Sequence, residues 1–231
     1  MEYLEFERIL SAKRIQRYKD AANGDTRKAM ALYRYNLRLS QEMFTIVSCF
    51  EVALRNAIDS LLVPSLGEDW LKDSVQDTGI FSNGRMNETR KIIEKAYNRL
   101  NRQGNYSHSK LIAEMEFGVW KYMYSSLQYR ATGQCLLRAF PNKPRSSAAV
   151  QYNNTYIFNE LDKVNSLRNR IAHHEPICFR LHEAEIDTSY IINEYQKIQT
   201  LFSWMGIDSH SMLYGLDHVQ SVCAKINSLK V

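Results

Sequence analysis

Nine glycines and four prolines in 231 residues leave this chain short of the punctuation that strand-and-turn folds need, so helices are favoured from the outset. Sustained apolar/polar alternation is also missing, which argues against half-buried strands. No apolar run approaches the ~20 residues that cross a bilayer. The opening Met1-Glu2-Tyr3-Leu4-Glu5 lacks the basic start of a secretion signal. Together these absences predict a cytoplasmic protein with no membrane partner. Cys49, Cys135, Cys178 and Cys223 lie far apart, with no Cys-x-x-Cys pair. That spacing predicts reduced thiols, several of them buried. Periodic repeats, low-complexity linkers and breaks in composition are absent too, so one domain over residues 1–231 is expected, with N-terminal helices 1–62 packing on a helical core 85–228.

What is present fits an ordinary globular core. Hydrophobic residues make up 45% and charged residues 24%, which excludes a disordered chain. The net charge of +5 is a mild bias, compatible with an anionic partner or with none. Its distribution says more. Acidic residues vanish between Lys121 and Asn159, where Lys121, Arg130, Arg138, Lys143 and Arg145 occur. The stretch from Arg85 to Arg102 carries six cations against Glu88 and Glu94. Such faces are commonly just solvated helix surface. They also suit an RNA backbone, with Tyr97, Tyr106, Tyr122, Tyr124, Tyr129, Tyr152 and Tyr156 available to stack on bases.

Apolar spacing of three and four residues predicts helices over Tyr3–Tyr18, Thr26–Leu62, Arg85–Asn101 and His108–Tyr124. Further helices are expected around Gln134–Phe140 and over Ser146–Ala172, Glu183–Trp204 and Ser211–Asn227. The long second helix should bury Met30, Tyr33, Leu37, Met43, Ile46, Val47, Phe50, Leu54 and Ile58 and stop at Pro64 and Gly67. The fold class that follows is all-α, an irregular multi-helix bundle.

The densest chemistry lies at Leu167-Arg168-Asn169-Arg170-Ile171-Ala172-His173-His174-Glu175-Pro176. Val164, Leu167 and Ile171 share one helix face, while Asn169 and His173, four apart, share another. Arg168 precedes His173 by five residues, roughly 140° around an ideal helix. A long side chain, or unwinding ahead of Pro176, must close that gap. Arg168 also sits beside the apolar stripe, where its charge needs a carboxylate or a phosphate. Arginine presents a planar fork of donors to phosphate oxygens, and histidine takes or gives a proton near neutral pH. RNA brings its own nucleophile, the ribose 2′-hydroxyl, so cleavage of this kind needs no metal and no cofactor. The plain alternative is a helix end whose cations face the helix dipole. Adjacent histidines also invite a zinc reading, though no spaced Cys/His pairs supply four ligands. A local echo, Leu54-Arg55-Asn56-Ala57-Ile58, has Ser60 where the later copy has His173.

Several segments together resemble a known family. They are Leu32-Tyr33-x-Tyr35-Asn36, Glu51-Val52-x-Leu54-Arg55-Asn56-Ala57-Ile58, Trp70, Phe117-Gly118-x-Trp120, Phe140-Pro141 and the run from Leu167 to Ile177. The chain is similar to the Abi-like proteins of bacterial abortive-infection systems (the Abi-D/F group), within the HEPN superfamily of ribonucleases. That resemblance implies an all-helical HEPN-type fold and a homodimer pairing two motifs in one RNA cleft. It implies metal-independent RNA cleavage leaving a 2′,3′-cyclic phosphate and a 5′-hydroxyl, in phage defence or as a toxin. It leaves room for an antitoxin, protein or RNA, as a further partner. By position, Arg168, Asn169 and His173 become the active trio, with His174, Glu175, Arg170 and Arg55 in support. Lys121, Arg130, Arg138, Lys143 and Arg145 become RNA-binding candidates. The alternative is a non-catalytic helical module that binds or senses RNA.

Overall fold

The computed structural model describes residues 1–230, and among them the regular structure is helical. Twelve α-helices follow in order: α1 (Tyr3–Leu10), α2 (Ala12–Ala21), α3 (Thr26–Leu66), α4 (Trp70–Asp73), α5 (Asn87–Arg102), α6 (His108–Glu114), α7 (Phe117–Tyr122), α8 (Ser126–Ala131), α9 (Asn154–Ala172), α10 (Ser189–Trp204), α11 (Ser209–Met212) and α12 (Val219–Asn227). The one β-type pairing described is an isolated antiparallel bridge between Phe179 and Ile186. The all-α class expected from the sequence is the class observed.

Several predicted helices are shorter or broken, each for a local reason. The first splits at Ser11, whose positive φ of 71° interrupts the chain while its hydroxyl accepts from the Arg14 N–H to start α2. The fourth splits at Met115, where extended backbone separates α6 from α7. The Ser146–Ala172 helix begins only at Asn154, and the Gln134–Phe140 piece is a 3-10 turn over Leu136–Ala139. The Glu183–Trp204 helix starts at Ser189, and the Ser211–Asn227 helix divides into α11 and α12. Pro64 does not stop α3; the helix runs to Leu66 and ends at Gly67, whose φ of 91° suits glycine. Along α3, Met30 is half-buried and Leu37 exposed, while Leu32, Asn36 and Leu39 are buried instead.

Contacts cluster into two compact units. The first comprises residues 1–48, 166–200 and 208–231, and the second residues 49–165 and 201–207. In the first, an aromatic cluster joins α1, α2 and α3: Tyr33 meets Phe6 at 5.5 Å and Tyr18 at 5.1 Å, and Tyr18 meets Phe179 at 5.0 Å, all edge-on. Edge-to-face aromatic pairs add about 0.5–1.5 kcal/mol each beyond the area they bury. The second unit is built around Phe50, Trp70, Phe81, Phe117, Trp120 and Tyr124, all fully enclosed. Trp70 Nε1 donates to Asp59 at 2.7 Å, so a buried ring keeps its polar atom satisfied.

Candidate functional site

Residues 168–175 lie in the first unit, and their backbone is fixed by the way α9 ends. His173 N–H bonds to Asn169 O at 2.9 Å, so the helical register holds through the cap. His174 N–H then bonds to Ile171 O at 3.0 Å, and Glu175 N–H to Arg170 O at 2.9 Å. This nested pair is a Schellman ending, with His174 in the left-handed position at φ 55°. Glycine normally takes that position, and a non-glycine residue there costs roughly 1–2 kcal/mol. Pro176 follows at once and cannot continue the helix.

The surrounding chain secures this turn. Arg14 on α2 donates to His174 O at 3.2 Å. Arg170 donates to Pro176 O at 3.0 Å and to a Glu175 carboxylate oxygen at 3.2 Å, and its guanidinium lies 4.9 Å from the centre of the Tyr190 ring. Asn36 is buried on α3, and its side-chain oxygen accepts the Ile177 N–H at 2.9 Å. Two of the segments that carried the family resemblance, 32–36 and 167–177, thus meet through a hydrogen bond. Further on, Arg17 holds the carbonyls of Arg180 and Glu183 and lies 4.8 Å from the Phe179 ring centre. Sequence reasoning missed Arg14, Arg17 and Asn36. A lone asparagine on an otherwise apolar stripe was a signal for Asn36; the two arginines act across more than 150 residues of chain and gave none.

Against this scaffold the cluster divides in two. Arg170, Glu175 and the His174 backbone are engaged in holding the turn. Asn169 and His173 are exposed, Arg168 is half-buried, and none of the three side chains forms a hydrogen bond or ion pair among the described residues. No unwinding precedes His173, so Arg168 stays about 140° around the helix from it and about 7.5 Å along the axis. The carboxylate that could have neutralised Arg168 is absent among the described residues.

The other candidates lie in the second unit. The Nε of Arg55 is buried without a hydrogen-bond partner among the described residues. Lys121 is buried and bonded to Asp162 at 2.7 Å, with its ammonium 4.6 Å from the Tyr122 ring centre, so its charge is already neutralised. Arg130, Arg138 and Arg145 are exposed and Lys143 is half-buried. Tyr124 and Tyr129 are buried, their hydroxyls donating to the carbonyls of Leu136 and Gln134; neither ring is open to a base. Burial pushes the thiols of Cys178 and Cys223 up to about 12 and about 11, which leaves both unreactive. Among the described residues no three His, Cys, Asp or Glu side chains are grouped to hold a metal ion, and no helix is long and apolar enough to cross a membrane.

A sequence profile described as Abi-like protein matches residues 3–178, a span that holds Phe6, Tyr18 and Tyr33 of the aromatic cluster, Asn36 and the whole of the 168–175 turn. The chain belongs to the Abi-like family. Membership suggests a part in abortive infection. No curated protein and no solved structure gives a significant match. The matched span of this Abi-like chain ends just after the Ile177 N–H that Asn36 holds, so α10 to α12 lie outside it.

Proposed function

We propose that this Abi-like protein is a metal-independent endoribonuclease of HEPN type, acting in the cytoplasm in abortive-infection defence or as a toxin. One observation carries the reading. Of seven polar or charged positions around the end of α9, those with structural duties are Arg14, Arg170, Glu175 and the His174 backbone, while the side chains of Arg168, Asn169 and His173 have no hydrogen-bond or ion-pair partner among the described residues. A half-buried guanidinium with no carboxylate is costly unless an anion completes it, and an RNA phosphate is such an anion.

In the proposed reaction Arg168 holds the scissile phosphate and Asn169 donates to it. The ribose 2′-oxygen attacks phosphorus as its proton passes to water, and the bond to the 5′-oxygen breaks. His173 carries a proton to that departing oxygen, giving a 2′,3′-cyclic phosphate and a 5′-hydroxyl. Labelled RNA incubated with the protein in EDTA should yield those ends. Arg168→Ala and His173→Ala should each reduce cleavage by about a hundredfold or more. Intact RNA across a range of salt concentrations would overturn the assignment.

A second reading, a helical module that binds RNA without cutting it, draws on the intact register of α9, which keeps Arg168 and His173 apart within one copy. It requires that RNA binding survive His173→Ala unchanged while no cleavage is seen in the unmodified protein.

A further inference from the structure

A cleft of about 690 Å³ in the second unit lies along α5 and faces the residues from Glu114 to Tyr122. Its α5 wall is periodic. Glu88, Ile92, Lys95, Arg99 and Arg102 line it, with Arg85 just ahead of the helix, at alternating spacings of three and four that repeat every seven residues, the spacing by which one helix receives another. The buried stripe of α5, Thr89, Ile93, Ala96 and Leu100, runs alongside it, and Thr89 and Ala96 border the cleft as well. The cleft floor is apolar, formed by Met86, Ile92, Ala96, Met115 and Val119, and Ile92 and Tyr122 remain 48% exposed. A helix of sixteen residues extends about 24 Å, so the wall is long enough to accompany three or four turns of a partner.

Charge selects the partner. Of the acidic groups on the cleft, Glu88 is bonded to Lys91, and Glu114 to Arg99. Among the described residues that leaves Arg85, Lys95 and Arg102 without carboxylates, against Glu116 on the cleft. We propose that this cleft is a docking groove for an acidic amphipathic helix of a partner protein. The apolar face of that helix lies on Ile92, Met115 and Val119, and its flanking carboxylates meet Arg85, Lys95 and Arg102. A single-stranded nucleic acid fits less well, because one exposed aromatic ring over an aliphatic floor offers few stacking platforms. Helix-in-groove recognition uses this combination of aliphatic floor and charged rim.

The test pans the full-length protein against displayed helical peptides of about 18 residues with every face randomised. Enriched peptides should combine one apolar stripe with Glu or Asp on its flanks, and their binding should weaken with salt. Ile92→Glu and the pair Lys95→Glu/Arg102→Glu, all at exposed positions, should each reduce binding at least about tenfold. Gly118→Leu should do the same by filling the groove, since a Cβ there meets nothing within 4 Å and the fold should keep its melting temperature. Failure to enrich any peptide family over a heat-denatured control would overturn the proposal. So would enriched peptides that are basic, or binding indifferent to Ile92→Glu and Gly118→Leu. Displacement of the peptides by oligouridylate, with direct oligouridylate binding lost on Lys95→Glu/Arg102→Glu, would assign the groove to nucleic acid instead.

Discussion

His174 sits where a helix end usually has glycine, and its neighbours hold it there. Its carbonyl is fixed by Arg14 and its turn is closed by Arg170. His174→Gly should therefore stabilise the protein by about 1 kcal/mol, seen as a higher urea midpoint with an unchanged slope. Arg170→Ala removes two hydrogen bonds and the contact with Tyr190, and should cost about 1–2 kcal/mol. His173→Ala removes no side-chain hydrogen bond or ion pair among the described residues and should stay within about 0.5 kcal/mol of the parent. Equal destabilisation by the two alanine substitutions would mean that His173 has a structural duty after all. At this scale the residue types of the cluster were legible in the sequence. The division of labour among them was not, because it depends on which side chains α2 and α3 reach, and that is decided by tertiary contacts.

At the scale of elements, helices were legible wherever apolar spacing was strong, and their ends wherever a glycine marked them. Breaks set by single backbone conformations were not. Ser11 and Met115 interrupt apolar patterns that continue straight through them, and Pro64 sits in the last turn of α3 without ending it. The start of α10 depends on a carboxylate. Asp187 accepts the Ser189 N–H at 2.9 Å, and the backbone and side chain of Ser189 hold its pKa below the ordinary carboxylate value. A carboxyl with a depressed folded-state value contributes its full stabilisation above the unfolded value near 3.8, and loses it as pH falls through the folded one. Asp187→Asn should thus be less stable than the parent at neutral pH, and the gap should shrink as the solution is acidified below about pH 4. A gap that stays constant on acidification would mean that the capping bond does not need the charge.

For the whole molecule, the question is how a guanidinium and an imidazole 140° apart on one helix could serve one phosphate. Arg168 and His173 face apart because α9 keeps its register through the cap, so a second copy is the natural source of the missing group if the protein is a nuclease. Symmetry makes the consequence measurable. In a two-fold dimer each composite site would take Arg168 from one copy and His173 from the other. An Arg168→Ala copy paired with a His173→Ala copy would then contain one site with both groups intact and one with neither. Mixing the two inactive variants, with random reassortment of subunits, makes half the dimers hybrid, so about a quarter of parental cleavage should return. If both groups of a site come from the same copy, every site in the mixture lacks one of them and no activity returns. Recovery would therefore support shared sites, whereas its absence in verified hybrid dimers would require Arg168 to reach the phosphate alongside its own His173, against the angle that the intact helix imposes.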